Sequence, residues 1–590
     1  MLRDWYRRWL FLFFLVYIFL IIVFTPCFLN KKEPSQKICG YVISYPDKYY
    51  KEYRFFLKTG NSKFLVSSNS QRLGEISLYD YICFDCEHKR IESKNLPGNF
   101  NFEKYLRYKN VFYSLEIKGN IEIKKSHFLF AKLSSLRKKM KEIISDNFYK
   151  DELAVIMGIL LGEKEDLSKD FRKAVINSGV MHLLVASGSN VAYIATMVAI
   201  IFSIFGFNNK LSKLISLLFV FSYAFIVGFD PPITRAFLMF IFGYLIYSIK
   251  RNIDLFQILI LCAFTMIIFN PLSIYDSGFQ LSFLSVYGII TGYSLYSRYF
   301  LIKKINIFKK DKLNDFVKDI SNKIISMILL TIFAQLAIFP LLVISFYKVS
   351  VISPLSNIFL IPISGIIMSA SIFLFIFNKI MIVSNFLVFV LKILVSLFIK
   401  LCFYFSSFSF SIIYFNFTND LNFVLIFIII FIILNFPIID LTSPISRSFI
   451  SLVLIFFFIS LIFKDKKTGV IDFENFNIKG NIISKDEGVY IINPVVGEEK
   501  IISSLYYLNN SEVKAILVTS KSGFKKDIIE ALRKNLDVDK VYVPLWLGDK
   551  DYISVFDGDN AEIFDVKFYN KYGYFNYKSK LLYCYRDVCY

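Results

Sequence analysis

The sequence predicts a polytopic α-helical membrane protein with an extracytoplasmic all-β domain near its start and a small α/β domain at its end. Three observations predict this. Hydrophobic residues make up 55% of the 590 positions and aromatic residues 18%, with a mean hydropathy of +0.53. A soluble chain has no way to cover that much apolar surface. Between 180 and 463 lie roughly ten apolar runs of about the 20 residues that a bilayer crossing requires. Two polar segments with strand-like patterning, 33–127 and 464–590, flank that region.

Residues 1–32 open with Arg3, Arg7 and Arg8, followed by apolar residues from Trp9 to Leu29 without a small-x-small cleavage site. This reads as a retained anchor helix with its N-terminus inside. In 33–127, the runs Tyr41–Ser44, Tyr53–Leu57, Lys63–Ser67 and Ile76–Cys83 alternate with turn residues such as Gly60-Asn61-Ser62 and Pro97-Gly98-Asn99. Short strands at that spacing predict a small barrel or sandwich. Residues 31–125 hold 18 basic and 11 acidic side chains, an excess that favours an anionic partner. Cys39, Cys83 and Cys86 lie here with no evident fourth zinc ligand, so Cys39 is expected to pair with Cys83 or Cys86. In 128–178, Leu133, Leu136, Met140, Ile143 and Ile144 recur at helical spacing among Lys132, Arg137, Lys138, Lys139 and Lys141. This is a basic amphipathic helix, suited to the bilayer surface or to packing on its own domain.

Residues 179–463 form the membrane domain, with spans expected at 180–206, 213–229, 233–249, 254–270, 277–297, 324–346, 351–376, 380–406, 421–437 and 447–463. Under that scheme nearly all loop lysines and arginines fall inside, and both soluble domains fall outside. Polar insertions interrupt the apolar runs: 179–190, with His182, Ser187 and Asn190; Asp230 to Arg235; Asp276 to Gln280; Gln335 with Pro340; and Ser353 to Asn357 with Pro362. One such insertion is a cap or kink. Several together predict discontinuous helices around a polar passage, lined or gated by His182, Ser187, Asn190, Asp230, Arg235, Asp276, Gln280 and Asn357. Arg235 is expected to pair with Asp230 or Asp276 when the passage is empty.

Residues 464–590 alternate strands and helix, as expected of an α/β domain. Cys584 and Cys589 bracket a terminal hairpin and are expected to form a disulfide. The whole chain has three histidines, none of them in 464–590, and no phosphate-binding G-x-x-x-x-G-K-[ST] loop. A multi-histidine zinc hydrolase and an internal ATPase are therefore not expected, and no metal or other cofactor is assigned.

Leu160-Leu161-Gly162-Glu163, the run Gly179 to Gly188, Arg235-Ala236, Gly278 to Phe283, Pro354 to Asn357 and Asn101 to Leu106 occur in this order. Together they resemble the competence proteins of the ComEC/Rec2 type, inner-membrane channels for single-stranded DNA. The resemblance implies an OB-like domain over 33–127, a channel domain over 179–463 and a degenerate metallo-β-lactamase-like domain over 464–590. Two departures stand out. Asn190 lies where the family commonly has a second histidine. Ser520, Ser522, Phe524 and Lys525 stand where zinc ligands would be, so nuclease activity does not carry over.

The function expected is non-enzymatic: a multi-pass channel in the inner (plasma) membrane taking up single-stranded DNA. A secondary transporter of a small anionic or amphiphilic solute and a membrane-anchored nuclease are the rivals. Lys104, Tyr105, Arg107, Tyr108 and Lys109 are the candidate DNA contacts, combining charge with stacking surfaces. The partners expected are the lipid bilayer, an outer DNA receptor and a cytoplasmic helicase or translocase. The oligomeric state is not legible.

Overall fold

The computed structural model describes residues 9–28, 33–49, 52–68, 76–91, 101–126, 128–163, 167–207, 209–249, 254–299, 312–414 and 428–430. Beyond these it describes 469–475, 478–485, 488–507, 512–518, 524–544 and short ladders between 553 and 589. Helix α1 (Trp9–Phe28) carries no charged residue. Its Phe13, Phe14 and Tyr17 set their rings edge-on against Phe264 of a later helix.

The N-terminal domain is a closed barrel. Its elements are β1 (Lys37–Val42), β2 (Asp47–Tyr49), β3 (Glu52–Thr59), β4 (Ser62–Ser68), β5 (Tyr81–Arg90), α2 (Phe102–Tyr108) and β6 (Val111–Lys124). The ring runs β1–β5–β6–β4–β3 and returns to β1, antiparallel except for β4 with β6. Closure leaves few unpaired edge groups. Alternation sends Val42, Phe55, Leu57, Phe64, Val66, Ile82, Phe84 and Leu115 inward. The same alternation decides the cysteines. Cys39 and Cys83 oppose each other across β1 and β5 and form a disulfide, whereas Cys86 turns into the core as a free thiol.

Eleven helices follow the barrel strands: α3 (Phe128–Ser145), α4 (Lys150–Leu161), α5 (Lys169–Asn177), α6 (Gly188–Ile204), α7 (Asn209–Val227), α8 (Pro231–Ser248), α9 (Leu255–Phe269), α10 (Ser277–Tyr299), α11 (Lys312–Phe346), α12 (Ser353–Phe377) and α13 (Met381–Ser406). Lys323–Phe346, Ser353–Phe377 and Met381–Ser406 are each long and apolar enough to cross a membrane, and the chain is a membrane protein. Helices α6 and α9 have only 17 and 15 residues. At about 1.5 Å per residue they fall short of a hydrocarbon core roughly 30 Å thick.

The stretch 128–178 is three helices rather than one. Every residue of α4 from Ala154 to Leu161 is buried, and α3 inserts Leu133, Met140 and Ile144 into the core shared with α6, α7, α12 and α13. The expected breaks at Pro340 and Pro362 do not occur, because α11 and α12 run through both prolines. In a packed bundle neighbouring side chains and backbone adjustments compensate for a missing N–H, so proline interrupts helices less than in water. The helical path breaks instead at 178–187, which is a loop with one 3-10 turn (Met181–Leu183), and at 270–276, with a second 3-10 turn (Pro271–Tyr275). The expected first span therefore begins at Gly188 rather than at 180. The spans expected at 421–437 and 447–463 lie outside the described residues apart from 428–430.

Gly288 and Gly292 of α10 face Phe333 and Ala337 of α11, the register of an antiparallel pair. That register sets the start of α10 beside the end of α11. A short ladder of β7 (Lys348–Ser350) and β8 (Ile412–Tyr414) then joins the start of α12 to the end of α13 at the same end. The C-terminal domain meets this end too. Tyr414 packs on its core, and Lys173 of α5 pairs with Glu498 at 2.5 Å.

That domain is a six-stranded sheet in the order β14–β13–β12–β11–β10–β9, parallel from β11 to β14. Its strands are β9 (Gly469–Asn475), β10 (Ile478–Lys485), β11 (Gly488–Ile492), β12 (Glu512–Leu517), β13 (Asp537–Pro544) and β14 (Ile553–Val555). Helices α14 (Glu498–Tyr507) and α15 (Lys526–Asn535) make the crossovers that parallel pairing demands. In a final two-stranded ladder Cys584 stands opposite Cys589. The side chains of that pair, and Ser520 and Ser522, lie outside those described.

Candidate functional site

The polar motifs, distant in sequence, converge. Gly162 ends α4 in a left-handed turn (φ +76°) whose added Cβ would lie 2.9 Å from the Cβ of Ala186. A Cβ added to Gly158 would lie 3.1 Å from the Leu184 carbonyl oxygen. The Leu160–Glu163 motif is thus wrapped by the 184–186 loop, and glycine is the residue that fits both the turn and the approach. Gly179, also left-handed at φ +75°, abuts Ser350 and Ser353. Ser350 Oγ donates to the Asn177 carbonyl at 2.9 Å and Ser356 Oγ to that of Ser178 at 2.7 Å. Gln335 donates its side-chain amide to the Ser350 carbonyl. The broken segment is therefore cradled by α4 on one side and by the start of α12 on the other.

Within that cradle the expected passage residues divide. Asn190 donates to the Ile159 carbonyl at 2.8 Å and to the Tyr223 hydroxyl at 3.3 Å. Tyr223 donates to the Leu160 carbonyl at 3.1 Å. These bonds satisfy carbonyls that the end of α4 leaves without helical partners. Ser187 and Ser189 share a 2.6 Å bond and point toward Asn190 Oδ1. His182, on the 3-10 turn, is exposed although its neighbours Leu183 and Leu184 are buried. Asn357 is buried, donates to Ser353 Oγ at 3.2 Å and leaves its Oδ1 without a partner.

Asp230, Arg235, Asp276 and Gln280 sit where α8 and α10 begin. Asp276 caps α10, accepting from the Gly278 and Phe279 N–H groups at 2.7 and 3.3 Å. Gln280 donates to the Ile274 carbonyl at 2.8 Å. Arg235 is only 7% exposed and donates through Nη1 to the Ser282 carbonyl, while its Nε has no partner. The expected pairing of Arg235 with Asp230 or Asp276 is absent among the described residues. Arg235 lies one turn into α8 and turns inward, whereas Asp230 is exposed at the helix start. Asp276 takes another cation, Lys109 of the barrel domain, at 4.0 Å.

Lys109 joins the barrel to the bundle. It lies over the Tyr105 ring at 4.6 Å and the Phe56 ring at 5.6 Å. Tyr108 stacks on Tyr275 with centroids 4.7 Å apart. Burial works against the charge on Lys109, but Tyr105 and Asp276 outweigh it and hold the ammonium above the ordinary lysine range. Of the other expected DNA contacts, Lys104 is exposed and Arg107 pairs with Glu103 at 2.7 Å.

Two basic residues escaped sequence reasoning. Lys58 and Lys63 stand directly opposite each other across the β3–β4 hairpin. Burial, then Lys58 and Lys109, push the Lys63 ammonium down. The signal was present, since two lysines flanking Gly60-Asn61 at equal distance must face each other once a hairpin forms there. Among the described residues no three His, Cys, Asp or Glu side chains gather as a metal site.

Comparison with known proteins bears on this arrangement. Residues 159–439 match a family model described as "Competence protein". The chain is 23% identical over 206 residues to the ComE operon protein 3 of Bacillus subtilis (strain 168), covering 34% of this chain and 26% of that protein. It is 27% identical over 216 residues to an uncharacterized protein of Aquifex aeolicus (strain VF5), covering 35% of this chain and 51% of that protein. The chain thus aligns with about a quarter of one relative and about half of the other. No solved structure matches it.

Proposed function

We propose that this chain, a ComEC-type competence protein, is a multi-pass channel of the inner membrane that admits one strand of DNA. The observation that carries the reading is the docking of a cationic, aromatic barrel surface on the mouth of a polar seam. Lys58, Lys63 and Lys109 with Phe56 and Tyr105 supply charge and ring faces suited to a flexible phosphodiester strand. The ring order with its one parallel pair agrees with an OB-like barrel. Lys109 hands this surface to Asp276, and one turn inside lies the buried Arg235. The loop at 178–187 and the short helices α6 and α9 give the bundle the non-helical depth a passage needs.

Both soluble domains meet one end of the bundle, and the lysine distribution assigns that end to the outside. A DNA receptor would deliver the strand there, and a cytoplasmic helicase or translocase would draw it through, since the chain has no phosphate-binding loop of its own. The C-terminal domain takes no catalytic step in this reading. Phe524 and Lys525 are poor metal ligands, and a mixed sheet with two crossover helices is a scaffold that implies no particular chemistry.

The test is uptake of labelled DNA by a deletion strain complemented with this chain, alongside oligonucleotide binding to the purified full chain in detergent. Uptake restored by the wild-type chain and lowered at least tenfold by the Lys58→Gln/Lys63→Gln pair is the expected result. Binding by that variant should also lose salt dependence, by a slope of about 0.7 for each phosphate contact removed. Normal uptake by the double variant at equal membrane levels would remove the barrel from the route.

A further inference from the structure

The bundle contains a cation that none of the described residues neutralises. Arg235 of α8 is buried between α6, α9 and α10. Its Nη1 is held by the Ser282 carbonyl, and no carboxylate among the described residues pairs with it. The nearest acids in sequence are committed or exposed: Asp276 to Lys109 and the α10 cap, Asp230 to the helix surface. The buried Cys262 of α9 is within electrostatic reach, but as a thiol it brings no charge. A lone buried guanidinium costs several kcal/mol unless something balances it.

Three further donors point to what does. Arg235 Nε–H is buried and has no acceptor, and the Ser282 hydroxyl is likewise buried without a partner. The first turn of α6 comes up against the same guanidinium, since a Cβ on Gly188 would lie 2.8 Å from Nη2. Ser187, the residue before that helix, makes no capping bond with its side chain. The first N–H groups of α6 and the unsatisfied guanidinium edge are donors with positive character, and the Ser282 hydroxyl can donate beside them without bringing any negative charge. A water molecule would accept from one or two of them but would leave the charge unbalanced.

We propose that Arg235, Ser282 and the first turn of α6 form a resident site for one small inorganic anion of the halide class. The anion neutralises the guanidinium and fixes α6, α8 and α10 against one another. The site rests on the packing of the bundle and stands apart from the cargo reading, so it survives if DNA is not what passes.

The experiment is thermal unfolding of the full chain in detergent at constant ionic strength, exchanging gluconate for chloride. Wild-type protein should gain several degrees of melting temperature along a saturating curve, as a ligand that binds only the folded state requires. Arg235→Met should lose the chloride response, and Ser282→Ala, which removes a single hydroxyl, should need several-fold more chloride for half the effect. The serine variant keeps the test decisive if the arginine variant fails to fold. A wild-type melting temperature indifferent to chloride would overturn the site. So would an undiminished response in the serine variant, which would place the anion elsewhere. A third arm uses dimethyl phosphate, and a response to that ester alone would reassign the donors to a phosphodiester and overturn the halide.

Discussion

Two buried arginines make the most instructive comparison in this molecule. Arg137 of α3 is 5% exposed and Arg235 of α8 is 7% exposed, so both are removed from water to the same degree. Around Arg137 acceptors converge. Nη1 donates to the Ile226 and Val227 carbonyls at 2.6 and 3.2 Å, Nη2 pairs with Glu163, and the guanidinium lies 4.1 Å over the Tyr45 ring. Glu163 also holds Lys141 at 2.7 Å. Around Arg235 there is one carbonyl and an idle Nε–H. The first arginine closes the end of α7 and ties the barrel to the bundle through Tyr45, whose hydroxyl donates to the Phe225 carbonyl at 3.3 Å. The second keeps part of its guanidinium unsatisfied by the described residues. Burial alone does not separate structural from functional charge; the count of satisfied groups does.

The comparison breaks most visibly at Arg137. Arg137→Met removes one partner of a buried pair and orphans the carbonyls that end α7, a loss of about 3–5 kcal/mol. Detergent-extracted protein should fall to a small fraction of the wild-type monodisperse yield, and Arg137→Lys should recover part of it. Yields and melting temperature unchanged in Arg137→Met would show that the network is dispensable.

Arg235→Met is expected to do the reverse. Replacing an unbalanced buried charge with an apolar side chain of similar length is neutral to stabilising, within about 1 kcal/mol in a chloride-free buffer. DNA uptake should nevertheless fall at least tenfold at equal membrane levels. If uptake instead falls only as far as the level of folded protein does, the two arginines belong to one class and the contrast collapses.

Which of these roles was legible in the sequence follows from physical range. The barrel was legible because period-two alternation and turn residues are local signals, and the α/β segment for the same reason. The apolar helix α1 and the long helices α11 to α13 were legible because apolar length needs no partner to be read. The convergence of 160–163, 179–190, 235, 278–282 and 353–357 was readable only as a set of polar insertions, since contact depends on the packing of helices far apart in the chain. For the same reason Arg137 read as one cation on an amphipathic face, although it is buried. Asp276 read as a partner for Arg235, although Lys109, 167 positions earlier, takes that place. Pro340 and Pro362 misled in another way, because a proline rule learned in water overstates breaks inside a packed bundle.

Asn190 supplies a smaller effect on the satisfied side of the comparison. Asn190→Ala leaves the Ile159 carbonyl without its side-chain donor and deprives Tyr223 of a neighbour, a cost of about 1–3 kcal/mol. Melting temperature should drop by a few degrees while uptake per folded molecule stays within about twofold. A large uptake defect in protein of normal stability would move Asn190 from support to passage.

The smallest expected effect lies in the barrel, where the same contrast is repeated with lysines. Lys109 is satisfied by Asp276 and two rings, whereas Lys63 faces Lys58 directly across the hairpin and has Lys109 nearby. Like charges opposed across a ladder destabilise by a few tenths of a kcal/mol, so Lys63→Met should stabilise the chain by about 0.5 kcal/mol. The sign of its pH dependence is fixed by the lowered value of Lys63. Protonated Lys63 costs stability below its folded pKa, and the cost is relieved as pH rises through that value toward the ordinary lysine range. Wild-type melting temperature should therefore gain slightly on the alkaline side relative to Lys63→Met, which has no such proton to lose. The same variant should bind a labelled oligonucleotide several-fold more weakly, because it gives up a cation that the barrel maintains at a cost to its own stability. A Lys63→Met chain that is both less stable and equally able to bind would show that this lysine is held by packing of its stem rather than kept for an anionic partner.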